Sequence, residues 1–112
     1  MSPSRYGLLV GGLALFALVA PPGRAAEPSP ARQARLAEIV AEDCGACHGM
    51  TRKGGLGPPL LTKNLAGYDD RTLATVILDG RPDTPMPPWR GLLSDDDALW
   101  IARYLKGETD VR

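Results

Sequence analysis

Cys44-Gly45-Ala46-Cys47-His48 is the stretch on which the reading of this 112-residue chain turns. On a helix, positions i, i+3 and i+4 share one face, so Cys44, Cys47 and His48 would project together. Gly45 and Ala46 are small and let a flat ring system lie close to the backbone. Two thiols and an imidazole at this spacing form the C-x-x-C-H pattern of covalent haem attachment. Each thiol can take one vinyl group as a thioether, and the imidazole is then placed as an axial iron ligand. A disulfide or a C-x-x-C redox pair is the alternative use of two cysteines, but a redox pair belongs in a βαβ setting and no strand–helix alternation is visible. Zinc would need a fourth ligand, and these are the only two cysteines and the only histidine of the chain.

Upstream of the motif, Leu36, Ile39, Val40 and Cys44 fall on one apolar stripe, which predicts a helix over 31–47 running straight into it. Arg32, Arg35, Glu38 and Glu42 occupy the remaining, solvated surface. Further upstream, Arg5 precedes an apolar run from Leu8 to Ala20, broken by Pro21-Pro22-Gly23. Gly23 and Ala25 put small residues at −3 and −1 of a cut before Ala26. Residues 1–25 are therefore read as a cleavable secretory signal, and 26–112 as one domain. The apolar run is shorter than the roughly 20 residues a membrane span needs, so no span is expected after cleavage. Export suits thioether formation, which joins haem to reduced cysteines outside the cytoplasm.

Without the signal the chain holds eleven basic and thirteen acidic residues, net −2, which argues against a nucleic-acid partner. The only Phe, Phe16, is lost with it, leaving Tyr68, Trp89, Trp100 and Tyr104 as the aromatic residues. So thin a core calls for a staple, and a doubly tethered haem would be one.

Downstream, residues 49–61 carry too many Gly and Pro for a helix or a central strand. Gly57-Pro58-Pro59-Leu60 ends this loop. A ligating histidine usually donates its far ring N–H to a carbonyl, and Pro58 O is the candidate acceptor for His48. Leu60 is expected on the proximal face of the haem. Asp69 or Asp70 can cap a second helix over 71–79, with Gly80 as its stop. Then Arg81-Pro82-Asp83-Thr84-Pro85-Met86-Pro87-Pro88-Trp89 follows. Four prolines in seven residues exclude a helix and stiffen an extended loop. Met86 is the candidate sixth iron ligand, a soft thioether suited to low-spin iron. Met50 follows His48 too closely to reach the opposite side. Trp89 is expected to cover the haem edge or to pack under the loop. Ser94 caps a last helix with Asp97 at its N3 position, and Leu99, Trp100, Ile101, Tyr104 and Leu105 give it a broad apolar surface. Lys106 and Gly107 end it, and the tail beyond is expected to fray.

A helix, C-x-x-C-H, a Gly-Pro-x-Leu loop, a middle helix, a Met-Pro loop and an aromatic last helix occur here in that order. Over residues 31–107 the chain resembles the small class I cytochromes c. Cys44 to Leu60, and Leu78 to Pro82 running on through Met86-Pro87-Pro88-Trp89, are most similar to the NirC-type cytochromes of denitrifying bacteria. The resemblance implies an all-α fold of three main helices around one covalent haem c. It assigns Cys44 and Cys47 to attachment, His48 and Met86 to the iron, and Pro58 to His48. It also implies an electron carrier rather than an enzyme, periplasmic given the export signal, with periplasmic redox proteins as partners and the haem-type nitrite reductase as acceptor; no exposed apolar face demands a dimer, so a monomer is expected. A redox role in maturing that enzyme's haem is the alternative within the family. A ligand-binding or catalytic haem protein with an open iron site is the alternative outside it. Where many relatives offer a Gly and an aromatic residue at the crossing of the first and last helices, this chain has Ala37, Val40 and Ala41. Trp100 and Tyr104 are expected to fill that space. Residues 48–90 carry net +2, whereas the flanking segments are each net −2. An exposed haem edge rimmed by Arg52, Lys53, Lys63 and Arg81 is therefore expected to meet an acidic surface.

Overall fold

A computed structural model describes residues 26–112, together with Gly7 alone. The expected signal segment lies outside the described residues. Helix α1 (Pro30–Ile39) begins where Ser29 accepts a hydrogen bond from Arg32 N and Pro30 supplies its fixed φ at the first position. It passes into a π-helical turn (Val40–Cys44) and then into α2 (Gly45–His48). The helical rod therefore does reach the motif, but not as one unbroken α-helix. Gly45 N–H bonds to Val40 O, five residues back. The widened turn keeps Leu36 and Val40 inward and leaves Glu42 and Asp43 in solvent.

A short α3 (Thr62–Leu65), not foreseen from the sequence, buries Leu65. Helix α4 (Asp70–Asp79) is capped by Asp69, which accepts from Thr72 N and stops at Gly80. Helix α5 (Asp95–Leu105) opens with the expected capping box: Ser94 accepts from Asp97 N, and Asp97 accepts from Ser94 N. Its Ala98, Trp100, Ile101, Ala102 and Leu105 are buried, while Leu99 is only partly so. Helix α5 is the central element, packed on α4 and on α1. Leu36, Val40, Leu78, Leu93 and Ile101 join in one core. Each such side chain contributes about 1.5–3 kcal/mol by leaving water.

Two polar ties lock α1 to the rest. Arg32 donates to both Asp97 carboxylate oxygens, at 3.2 and 2.6 Å, and to Leu92 O. Gln33, almost fully buried, donates to Pro28 O at 2.9 Å and accepts from Arg112 N at 3.0 Å. Pro28, just ahead of α1, and Arg112, in the tail expected to fray, are thus joined across one amide. The expected filling of the α1–α5 crossing is incomplete. Trp100 stacks on Tyr104, with ring centroids 5.0 Å apart. A cleft of about 180 Å³ nevertheless remains beside Ala37, Val40, Ala41 and Tyr104.

Candidate functional site

The end of the first helical rod carries the donors. Cys44 is half-buried, Cys47 is exposed, and neither is in a disulfide. Burial, with the nearby Asp43 charge adding to it, pushes the Cys44 thiol up to about 11. Both cysteines are free of any disulfide and stand one helical turn apart. Among the described residues no group of three His, Cys, Asp or Glu side chains could hold a metal ion.

His48 is fixed from behind. Its Nδ1 lies 2.7 Å from Pro58 O, the pairing expected from the loop. A carbonyl can only accept, so Nδ1 carries the proton and Nε2 keeps its lone pair for a metal. The loop that delivers Pro58 is closed by main-chain bonds. Gly54 N donates to His48 O, Gly57 N to Cys47 O, and Leu60 N to Arg52 O. Gly57 is needed there because a Cβ on it would lie 2.8 Å from His48 Cε1 and Nδ1. The imidazole plane is set by what lies behind it.

A second loop, residues 80–89, carries Met86. Gly80 has φ 66°, and a Cβ there would sit 2.7 Å from Met86 O, Pro87 C and Pro88 N. Arg81 N donates to Met86 O at 3.2 Å, and Trp89 N to Leu78 O at 3.0 Å. The loop is thereby folded back on the end of α4. Met86 is partly buried, and Met50, which is 69% exposed, lies against the Gly45 side of the rod. Leu60, Leu73, Ile77 and Trp89 pack on the core but keep part of their apolar surface uncovered. Two thiols, an imidazole with a free Nε2, a thioether and these partly covered apolar side chains fit a haem. Cys44, Cys47, His48 and Met86 are the residues with the chemistry to hold one.

The cations divide by position. Arg32, Arg35, Arg90, Arg103, Lys106 and Arg112 each pair with a carboxylate. Among the described residues Arg52, Lys53, Lys63, Arg71 and Arg81 form no ion pair. Arg52 is nevertheless not a free rim charge: its guanidinium lies over the Tyr104 ring, 5.8 Å from the centroid. Its backbone adopts φ 60°, which no sequence signal indicated.

Comparison with known proteins agrees with this arrangement. Residues 31–105 match the family model described as cytochrome C oxidase, cbb3-type, subunit III. Cytochrome c55X of Paracoccus denitrificans (strain Pd 1222) is 52% identical over 97 residues, covering 86% of this chain and 94% of the relative. The solved c-type cytochrome NirC is 49% identical with a TM-score of 0.70, over 71% of this chain and 94% of that one. The dihydro-heme d1 dehydrogenase NirN, solved in complex with DHE, is 36% identical with a TM-score of 0.58. That match covers 70% of this chain but 16% of NirN.

Proposed function

The chain belongs to the NirC-type c-type cytochromes, haem-containing electron-transfer proteins rather than enzymes, and from that premise we propose that it is an exported, periplasmic one-electron carrier of denitrification. Its haem c is attached once, through Cys44 and Cys47, with His48 and Met86 as the axial ligands. When bound, the haem iron supplies a one-electron couple. The carrying observation is a donor set drawn from two separate segments: an imidazole whose Nδ1 is already committed at 2.7 Å to Pro58 O, and a thioether in a folded-back loop. His48 and Met86 together would fill both axial positions, which would keep rearrangement on electron transfer small. A filled sixth position would leave none for an exogenous ligand, which argues against gas binding or peroxidase chemistry. Residues 1–25 act as the export signal, and no helix among the described residues is long and apolar enough to cross a membrane.

Optical spectra of the oxidised and reduced protein, with and without carbon monoxide, test this. A sharp reduced low-spin spectrum indifferent to carbon monoxide is expected. A high-spin spectrum shifted by carbon monoxide would replace the carrier reading with ligand binding. Haem stain surviving denaturing electrophoresis checks covalent attachment, and its loss in Cys44→Ala with Cys47→Ala checks the attachment sites.

The electron acceptor we propose is a periplasmic haem-type nitrite reductase, met by a monomer through the unpaired cations Lys53, Lys63 and Arg81. Charge reversal at Lys53 and Arg81 should slow electron transfer several-fold at low salt, and less at high salt. A second reading, electron uptake during maturation of that enzyme's haem, is favoured by the likeness to the dihydro-heme d1 dehydrogenase. The two readings differ in direction. In the first the ferrous cytochrome is oxidised by the reductase as it reduces nitrite; in the second the ferric cytochrome is reduced by the dehydrogenase as it oxidises its dihydro-haem substrate. Mixing each pair and following the haem spectrum distinguishes them.

A further inference from the structure

The distal loop is poor in main-chain donors, because Pro82, Pro85, Pro87 and Pro88 have no N–H. A helix or strand ladder therefore cannot hold it, and its shape depends on a few bonds. Residues 81–84 form a tight turn closed by Thr84 N donating to Arg81 O at 3.2 Å. Pro82 occupies its second position, and Asp83, with φ 63°, its third. That is the pattern of a type II turn, with an aspartate where glycine is usual. A left-handed non-glycine residue is strained and persists only where surrounding bonds hold it.

The Thr84 hydroxyl supplies such bonds. It donates to Arg81 O at 2.7 Å and accepts from Met86 N at 3.3 Å. Arg81 N donates in turn to Met86 O at 3.2 Å. Both main-chain polar groups of Met86 are thus tied, directly or through one hydroxyl, to Arg81. We propose that Thr84 is a positioning residue for the distal ligand: its hydroxyl clasps the turn to the Met86 backbone and so holds the thioether at the iron. This rests on the reading of Met86 as that ligand.

The test uses the full haem-loaded protein with Thr84→Val and Thr84→Ser. Valine keeps the branched shape and removes the hydroxyl, whereas serine keeps the hydroxyl and removes the methyl. The readouts are the weak sulfur-to-iron charge-transfer band of the ferric protein and its affinity for added imidazole, which competes with the thioether. Loss of the hydroxyl's two hydrogen bonds should tighten imidazole binding by at least about three- to tenfold in Thr84→Val and weaken the band. Thr84→Ser should stay close to the parent protein. An unchanged Thr84→Val, or a Thr84→Ser as impaired as the valine variant, overturns the proposal while leaving Met86 as ligand. If the parent protein lacks the band and Met86→Ala leaves its spectrum unaltered, the ligand reading itself is wrong and the proposal falls with it.

Discussion

The two loops that carry the candidate iron ligands are built on different principles. The segment behind His48 is glycine-rich and closed by main-chain bonds, from Gly54 N to His48 O, Gly57 N to Cys47 O and Leu60 N to Arg52 O. Its candidate ligand is also part of a helical rod whose last turns carry Cys44 and Cys47, the cysteines proposed for attachment. The segment bearing Met86 is proline-rich, attached to no helix at the ligand itself, and held by a turn, one hydroxyl, one main-chain bond from Arg81 N to Met86 O and its return to Leu78 O. One candidate ligand is fixed by its helical rod and close packing, with the proposed thioethers beside it, the other by a small number of separable bonds. The distal side should therefore be the one that yields first.

Two glycines make the sharpest test, and the largest effects. A Cβ at Gly57 would stand 2.8 Å from the His48 ring. Gly57→Ala should displace the imidazole and cut the yield of haem-stained protein severely, because the attachment motif and its ligand form one unit. A Cβ at Gly80 would meet main-chain atoms of 86–88 at 2.7 Å. Backbone cannot swing aside as a side chain can, so strain of about 1–3 kcal/mol is expected. Gly80→Ala should keep its haem but lose the sulfur-to-iron band and gain carbon monoxide binding in the reduced state. If Gly80→Ala instead fails to retain haem, the two sides are not separable and the comparison breaks.

Acid should separate the sides next. Hydrogen bonds from the Arg32 guanidinium hold the Asp97 carboxyl below its ordinary value of 3.8 despite the opposing effect of partial burial. Lys106 and Arg103 do the same for Asp70. A depressed folded-state pKa stabilises above the unfolded value and is lost as pH falls through the folded one. Stability should therefore decline below about pH 4, as both carboxylates protonate. Both pairs anchor α5, to α1 and to α4 respectively, and neither touches the distal loop. Unfolding midpoints followed by circular dichroism should drop with acid, and Asp97→Asn should flatten the slope. The sulfur-to-iron band should fade only with global unfolding. Earlier loss of the band would place an acid-sensitive contact in the distal loop itself.

Much of this was legible because it obeys local rules. The C-x-x-C-H spacing, the Ser94–Asp97 capping box, the Gly80 stop and the acceptor role of Pro58 each need only residue chemistry and a short separation. The π-helical turn over Val40–Cys44 was not legible, since an i→i+5 bond leaves no residue pattern of its own. Gln33 reads as an ordinary surface residue until Pro28 and Arg112 are seen to meet on it. Arg52 reads as a solvent charge until Tyr104, 52 positions away, is found beneath it. The Thr84 clasp is close in sequence, yet it emerges only once Asp83 is seen in the left-handed region. What sequence misses here are contacts between segments and one strained torsion.

The smallest effect concerns the root of the distal loop. Arg90 donates to Asp79 at 3.0 and 2.7 Å and to Asp95 at 3.2 Å, bridging the end of α4 and the start of α5 just after Met86-Pro87-Pro88. All three side chains are more than half exposed, and pairs of that kind contribute little to stability. The root is also held without them, by Trp89 N and Arg90 N donating to Leu78 O at 3.0 and 3.1 Å. Arg90→Ala leaves those main-chain bonds in place. Imidazole affinity should then rise about twofold or less, below the Thr84→Val effect. That order places the hold on Met86 inside the loop, at the hydroxyl, rather than at its root. An Arg90→Ala effect equal to or above that of Thr84→Val would reverse it, and the distal loop would then be a hinged flap governed by its exposed ion pairs and sensitive to salt.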